Sequence, residues 1–152
     1  MNLLFRVIVT LLLILSAVSK GLAEDKAYVG SLSCRECHEQ EYNRFVKYSK
    51  KASSYKSIQK METKLTPQEF TSCFECHTTG YGEKGGFVSV ARTPELKDAG
   101  CEVCHGPGSL HVETEDPDEI IGRVDQKSCQ ACHSSDRIEV FDFKPLLFGG
   151  AH

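Results

Sequence analysis

Apolar and polar positions alternate with a helical period through residues 39–60. The apolar and small residues that recur at this spacing are Tyr42, Phe45, Val46, Ser49, Ala52 and Ile58. The pattern predicts one helix whose apolar face packs into the core. Thr66-Pro67-Gln68-Glu69 follows with a capping box and a proline at the first helical position, which predicts a second helix that runs into Cys73.

Glycine and proline divide the rest of the chain into short elements. Residues 80–86 (GYGEKGG) predict a loop, and Gly106-Pro107-Gly108 predicts a break in the chain. Thr93-Pro94-Glu95 predicts a short helix that ends at Gly100, and Asp116-Pro117 predicts a further helical turn. Since no strand pattern stands out, we expect a mostly α fold with long loops.

The first 23 residues have the pattern of a secretory signal peptide. Arg6 precedes an apolar stretch at residues 7–15, and small residues lead to a cleavage site after Ala23. The apolar stretch is shorter than the roughly 20 residues that a spanning helix needs, although an uncleaved anchor is the alternative. We therefore expect an exported, periplasmic protein without stable membrane insertion, whose mature domain is residues 24–152.

The charge and composition of this mature domain limit the classes of partner that we expect and the way its core is filled. Without Arg6 and Lys20, 16 basic and 21 acidic residues remain, which gives a net charge of −5 and predicts no nucleic-acid binding. The mature domain has no tryptophan and few long apolar runs. It lacks the side chains for an ordinary core, so we expect another group to fill its centre.

One pattern, Cys-x-x-Cys-His, occurs four times and uses all eight cysteines. We name the copies motif 1 (CRECH, residues 34–38), motif 2 (CFECH, 73–77), motif 3 (CEVCH, 101–105) and motif 4 (CQACH, 129–133). Their cysteines are Cys34, Cys37, Cys73, Cys76, Cys101, Cys104, Cys129 and Cys132, and their histidines are His38, His77, His105 and His133.

Three kinds of chemistry could explain the cysteines. Disulfides are common in exported proteins, but they require no histidine after each pair. Two four-thiolate zinc sites would also leave the histidines unexplained. Covalent haem attachment uses every residue of the pattern, because two thiols bond the haem and the adjacent histidine ligates the iron. The pattern predicts four c-type haems, about one for every 32 of the 129 mature residues, so closely packed haems should form the core.

The second axial position of each haem iron has few candidates. With four histidines committed to the motifs, only His111 and His152 remain, together with Met61 and the lysines Lys50 and Lys51. At most two haems can therefore have two histidine ligands. The others must use Met61, a lysine or another donor, or remain open to a small molecule.

Three stretches resemble the tetrahaem cytochrome c-554 family, whose members carry electrons from hydroxylamine oxidation. They are CHEQEYNRF (37–45), GCEVCHGPGSLH (100–111) and FDFKPLLFGGAH (141–152). The resemblance implies that His111 ligates the haem of motif 1 and that His152 ligates the haem of motif 3. The family histidine that ligates the fourth haem corresponds to Lys50, so the ligand opposite His133 departs from the family pattern. The haem on His77 is the one that the family leaves without a protein ligand on its distal side.

These features predict an electron carrier that passes electrons between a protein donor and a protein acceptor through stacked haems. The alternative is a small oxidoreductase that acts on nitric oxide, nitrite or hydroxylamine at an open haem on His77 or His133. A third alternative is a subunit of a larger haem assembly.

Overall fold

The computed structural model describes residues 26–134, so the predicted signal peptide and His152 lie outside the described residues. Within these bounds the chain forms eight α-helices and no strand, which confirms the mostly α fold with long loops. The helices are α1 Ser31–Cys34, α2 Glu39–Tyr48, α3 Ser54–Gln59, α4 Pro67–Ser72, α5 Phe74–His77, α6 Glu102–His105, α7 Ser109–Thr114 and α8 Gln126–Gln130. No helix in residues 26–134 is long and apolar enough to cross a membrane.

The prediction of a single helix over residues 39–60 is wrong. The chain leaves the helix at Ser49, whose backbone is extended (φ −81°, ψ 127°), and continues as a 3₁₀ turn at Lys50–Ser53 before α3. The Ser49 hydroxyl accepts the Lys51 N–H at 3.3 Å and so starts the new turn. A serine oxygen that binds nearby backbone competes with the helical hydrogen bond, and this explains the break.

The capping box at Thr66 is confirmed. Its hydroxyl accepts the Glu69 N–H at 3.3 Å, while the Glu69 carboxylate accepts the Thr66 N–H at 2.8 Å. The helix α4 then runs into Cys73, as predicted. Residues 78–93 form a loop, and the short helix expected after Thr93 is a 3₁₀ turn at Pro94–Leu96.

A small aromatic core lies beside motif 2. Its buried members are Ile58, Phe70, Phe74, Phe87 and Leu96, with Tyr55 and Tyr81 packed against them. Phe74 is central, with edge-to-face contacts to Phe70 and Tyr81 at ring-centroid distances of 5.2 Å and to Phe87 at 5.4 Å. Of the apolar face predicted for residues 39–60, Phe45 and Ile58 are buried, whereas Val46 is exposed.

Candidate functional site

Each Cys-x-x-Cys-His motif folds into one helical turn. In all four, the histidine N–H donates to the carbonyl of the first cysteine, at 2.9 Å in motifs 1 and 4 and at 3.1 Å in motifs 2 and 3. Residues three and four positions apart lie on the same side of such a turn. Both cysteines and the histidine of a motif therefore share one face, which is the arrangement that attachment to a single haem requires.

The motifs meet through their cysteines in a definite order. Cys34 of motif 1 is hydrogen-bonded to Cys101 of motif 3, and this bond lowers the pKa of Cys101 to about 6. Burial raises the pKa of Cys132 of motif 4 to about 12, with further contributions from the charge of Cys76 in motif 2 and a hydrogen bond with it. Motifs 3 and 4 are also neighbours, because their helices α6 and α8 are in contact.

Backbone carbonyls orient three of the histidines. The Nδ1 atoms of His77, His105 and His111 lie 3.2, 2.6 and 2.9 Å from the carbonyl oxygens of Ser54, Ile121 and Asp116. A carbonyl only accepts, so each Nδ1 carries the hydrogen and each neutral ring keeps the lone pair on Nε2. Metal-bound histidines are commonly held in this way.

His38 and His111 come together although 73 residues separate them. Their ring centroids are 6.3 Å apart, and the ring planes differ by 26°. His111 is carried by α7, which follows the predicted break. The helix α6 ends at His105 and is capped by Gly106, whose positive φ of 79° suits a glycine. The structure thus juxtaposes the two histidines that the resemblance assigns to one haem.

The remaining candidate ligands occupy different surroundings. Lys51 is half-buried. The pKa of His133 in motif 4 is lowered first by the burial of His133 and second by the positive charge of Lys51. Lys50 is exposed, although the resemblance points to that position. Met61 is 42% exposed and lies just before a 3₁₀ turn at Glu62–Lys64. Of the two lysines, the structure therefore brings Lys51 to motif 4.

Ser54 is a site residue that the sequence did not reveal. Its hydroxyl donates to the His77 carbonyl at 2.8 Å and accepts the Ala99 N–H at 2.9 Å, and its own carbonyl receives the His77 ring. Ser54 is buried at the start of α3, directly after the break at Ser49. The serine-rich stretch SKKASS (49–54) is the signal that could have indicated it.

The residues present fit covalently attached haem. Beyond the thiol faces and the oriented histidines, exposed apolar side chains flank the motifs: Leu32 precedes Cys34 by two positions, Val112 follows His111, and Ile121 supplies the carbonyl bound to His105. Apolar surface beside a metal ligand suits a porphyrin ring.

All eight cysteines are free thiols in the structure. A zinc site needs four ligands at one point, and no group of three or more metal-binding side chains occurs between residues 26 and 134.

Comparisons with known proteins agree with these features. The profile of the family described as cytochrome c554 and c-prime matches residues 33–106, which contain motifs 1, 2 and 3. The chain is also 33% identical over 100 residues to cytochrome c-554 of Nitrosomonas europaea. The match covers 59% of this chain but 42% of the relative, so the chain spans less than half of the relative's length. No solved structure matches the chain significantly.

Proposed function

We propose that the chain is a member of the cytochrome c-554 family, which its similarity to that family supports, and that it is an exported periplasmic cytochrome that binds four c-type haems and carries electrons between redox protein partners. One observation carries the proposal: all four motifs fold into the same turn, with thiols and histidine on one face. Bound haem supplies a one-electron iron couple, and the protein sets its potential through ligands, burial and charge.

The axial ligands of the proposed cytochrome follow from the histidine positions. His38, His77, His105 and His133 each ligate the iron of their own motif. His111 completes the haem of motif 1, which the 6.3 Å approach of its ring to His38 supports. We assign His152 to the haem of motif 3 on the resemblance, and Lys51 in preference to Lys50 to the haem of motif 4 on its position.

The cysteine contacts support an electron path that differs from the order along the chain. Motif 1 adjoins motif 3, motif 3 adjoins motif 4, and motif 4 adjoins motif 2. Motifs that lie next to each other would bring their attached haems close together, and short distances between haems favour electron transfer. The path we propose is 1–3–4–2, with the ends at motifs 1 and 2.

A second function rests on the surroundings of motif 2. His77 is held by Ser54 on the proximal side, and Met61, the one methionine of the mature chain, is 42% exposed. The haem of motif 2 would then keep an open position for a small molecule such as nitric oxide, nitrite or hydroxylamine. Assembly into a larger haem complex remains a third candidate, which the mass of the native particle tests.

The proposal is tested by counting haems and electrons on the mature protein. The intact mass should correspond to four haems per chain, and coulometric reduction should take up four electrons. Fewer haems or electrons would contradict the tetrahaem carrier. Electron paramagnetic resonance of the oxidised protein then separates the two functions: a high-spin signal from one iron per chain supports the open haem at motif 2, and a wholly low-spin spectrum excludes it.

A further inference from the structure

Motif 3 contains a buried acidic side chain, Glu102, which is only 2% exposed. Its Oε1 atom accepts the N–H groups of Val29 at 3.0 Å and Gly108 at 2.8 Å, and its Oε2 atom accepts the N–H of Gly30 at 2.8 Å. Val29 also approaches Oε2 at 3.2 Å. All of these contacts come from N–H donors, and a carboxylate accepts hydrogen bonds through both of its oxygens.

The three hydrogen-bond donors belong to two segments that carry other parts of the haem site. Val29 and Gly30 lead directly into α1, which ends at Cys34 of motif 1. Gly108 precedes α7, which carries His111. The Glu102 carboxylate in motif 3 therefore holds two backbone segments: the one that leads into motif 1, and the one that precedes α7 and His111. Ser31 strengthens the same junction, because its hydroxyl accepts the Cys101 N–H at 3.0 Å.

A neutral side chain could bridge these segments at a lower desolvation penalty, because burial of a charge is far more unfavourable than burial of a polar group. The negative charge also acts at the attachment thiols. The pKa of Cys34 is raised first by its hydrogen bond with Cys101, then by burial, by the charge of Cys101 and by the charge of Glu102. Because interior charges are weakly screened, a fixed anion here favours oxidised iron, which carries one more positive charge than reduced iron.

We propose that Glu102 is a positioning residue that joins motifs 1 and 3 and whose buried charge lowers the reduction potential of the haems attached there. This inference rests on the proposed function, since it requires haem at these two motifs. It assigns a role in setting potentials to a residue that neither bonds haem nor ligates iron.

The test compares three variants of the haem-loaded protein. Glu102→Gln removes the charge and keeps the shape, and Glu102→Asp keeps the charge on a shorter side chain. Glu36→Gln is the matched control, because Glu36 also lies between the two cysteines of a motif but is exposed. Intact mass first establishes the number of haems. Spectroelectrochemical titration then measures each potential, and paramagnetic resonance records whether the low-spin signals persist.

We expect Glu102→Gln to keep its low-spin signals and to raise the reduced-to-oxidised ratio of one or two haems about tenfold at a fixed applied potential, which corresponds to about 59 mV for a one-electron couple. Glu36→Gln should change the ratio less than threefold. Equal shifts in the two variants, or no shift in Glu102→Gln, would overturn the inference.

If Glu102→Gln fails to fold or to load haem, Glu102→Asp decides. Reduction potentials close to those of the unchanged protein support a role of the charge. A tenfold change in the reduced-to-oxidised ratio, with the charge retained, refutes that role. A haem count below four in the unchanged protein would instead refute the proposed function, so the two failures are distinguishable.

Discussion

Replacement of His111 by alanine tests the axial pairing directly. An imidazole nitrogen binds a metal at roughly 2.0–2.1 Å, as it does in zinc sites, and lies about 1 Å from its ring centre. Two rings on opposite sides of one iron should therefore have centroids about 6 Å apart. The 6.3 Å between the ring centroids of His38 and His111 matches this separation.

The expected result of His111→Ala is a change in one iron of four. The haem of motif 1 loses its second strong ligand, so a quarter of the low-spin intensity in the oxidised protein should become high-spin. Quantitative electron paramagnetic resonance at low temperature measures this fraction. Added imidazole should restore the low-spin signal, because it can enter the space that the side chain leaves.

Glu113→Ala is the matched control for His111→Ala, because Glu113 also belongs to α7 and is exposed. Its spectrum should equal that of the unchanged protein. If His111→Ala leaves the low-spin fraction unaltered, His111 does not ligate iron, and the approach of the two rings has another cause.

Three further predictions concern the core, the fourth haem and the partner. Phe74→Ala should lower the free energy of unfolding by about 3–5 kcal/mol, because a buried ring with four aromatic neighbours is lost. In denaturant titrations the substitution Glu75→Ala at the exposed neighbouring position should change this free energy by less than about 0.5 kcal/mol. Lys51→Ala should convert the haem on His133 to high-spin, whereas the same spectrum from Lys50→Ala would argue against Lys51 as the ligand. Raising the ionic strength shortens the screening length from about 30 Å at 0.01 M to about 8 Å at 0.15 M, so electron transfer from this acidic chain to a basic partner should slow; an unchanged rate contradicts electrostatic steering.

The sequence predicted those features that depend on neighbouring residues. The capping box needs only Thr66 and Glu69, and Gly106-Pro107-Gly108 ends a helix through its own backbone preferences. The four motifs are equally local, because each is a single turn closed by its own hydrogen bond. The helical class could therefore be predicted before any packing was known, and the haem-attachment residues remain a prediction.

Features that depend on distant residues could not be predicted. Helical periodicity continues through Ser49, although the chain leaves the helix there. The break precedes Ser54, whose hydroxyl binds His77 and Ala99, which are 23 and 45 positions away. Glu102 would ordinarily be assigned to the surface, since glutamate is rarely buried without partners. Its partners Val29 and Gly30 are 73 and 72 residues away, and nothing in the local sequence indicates that they supply N–H groups.

The order in which the motifs touch has a consequence for how the proposed carrier is assembled. Motifs 1 and 2, the ends of the proposed path, come first along the chain, and motifs 3 and 4, which follow them, connect them. A chain that stopped before Cys129 would keep three attachment sites yet lose an interior link instead of a terminus. Its two ends would be isolated from each other, so conduction across the molecule is a property of the completed chain and does not build up motif by motif.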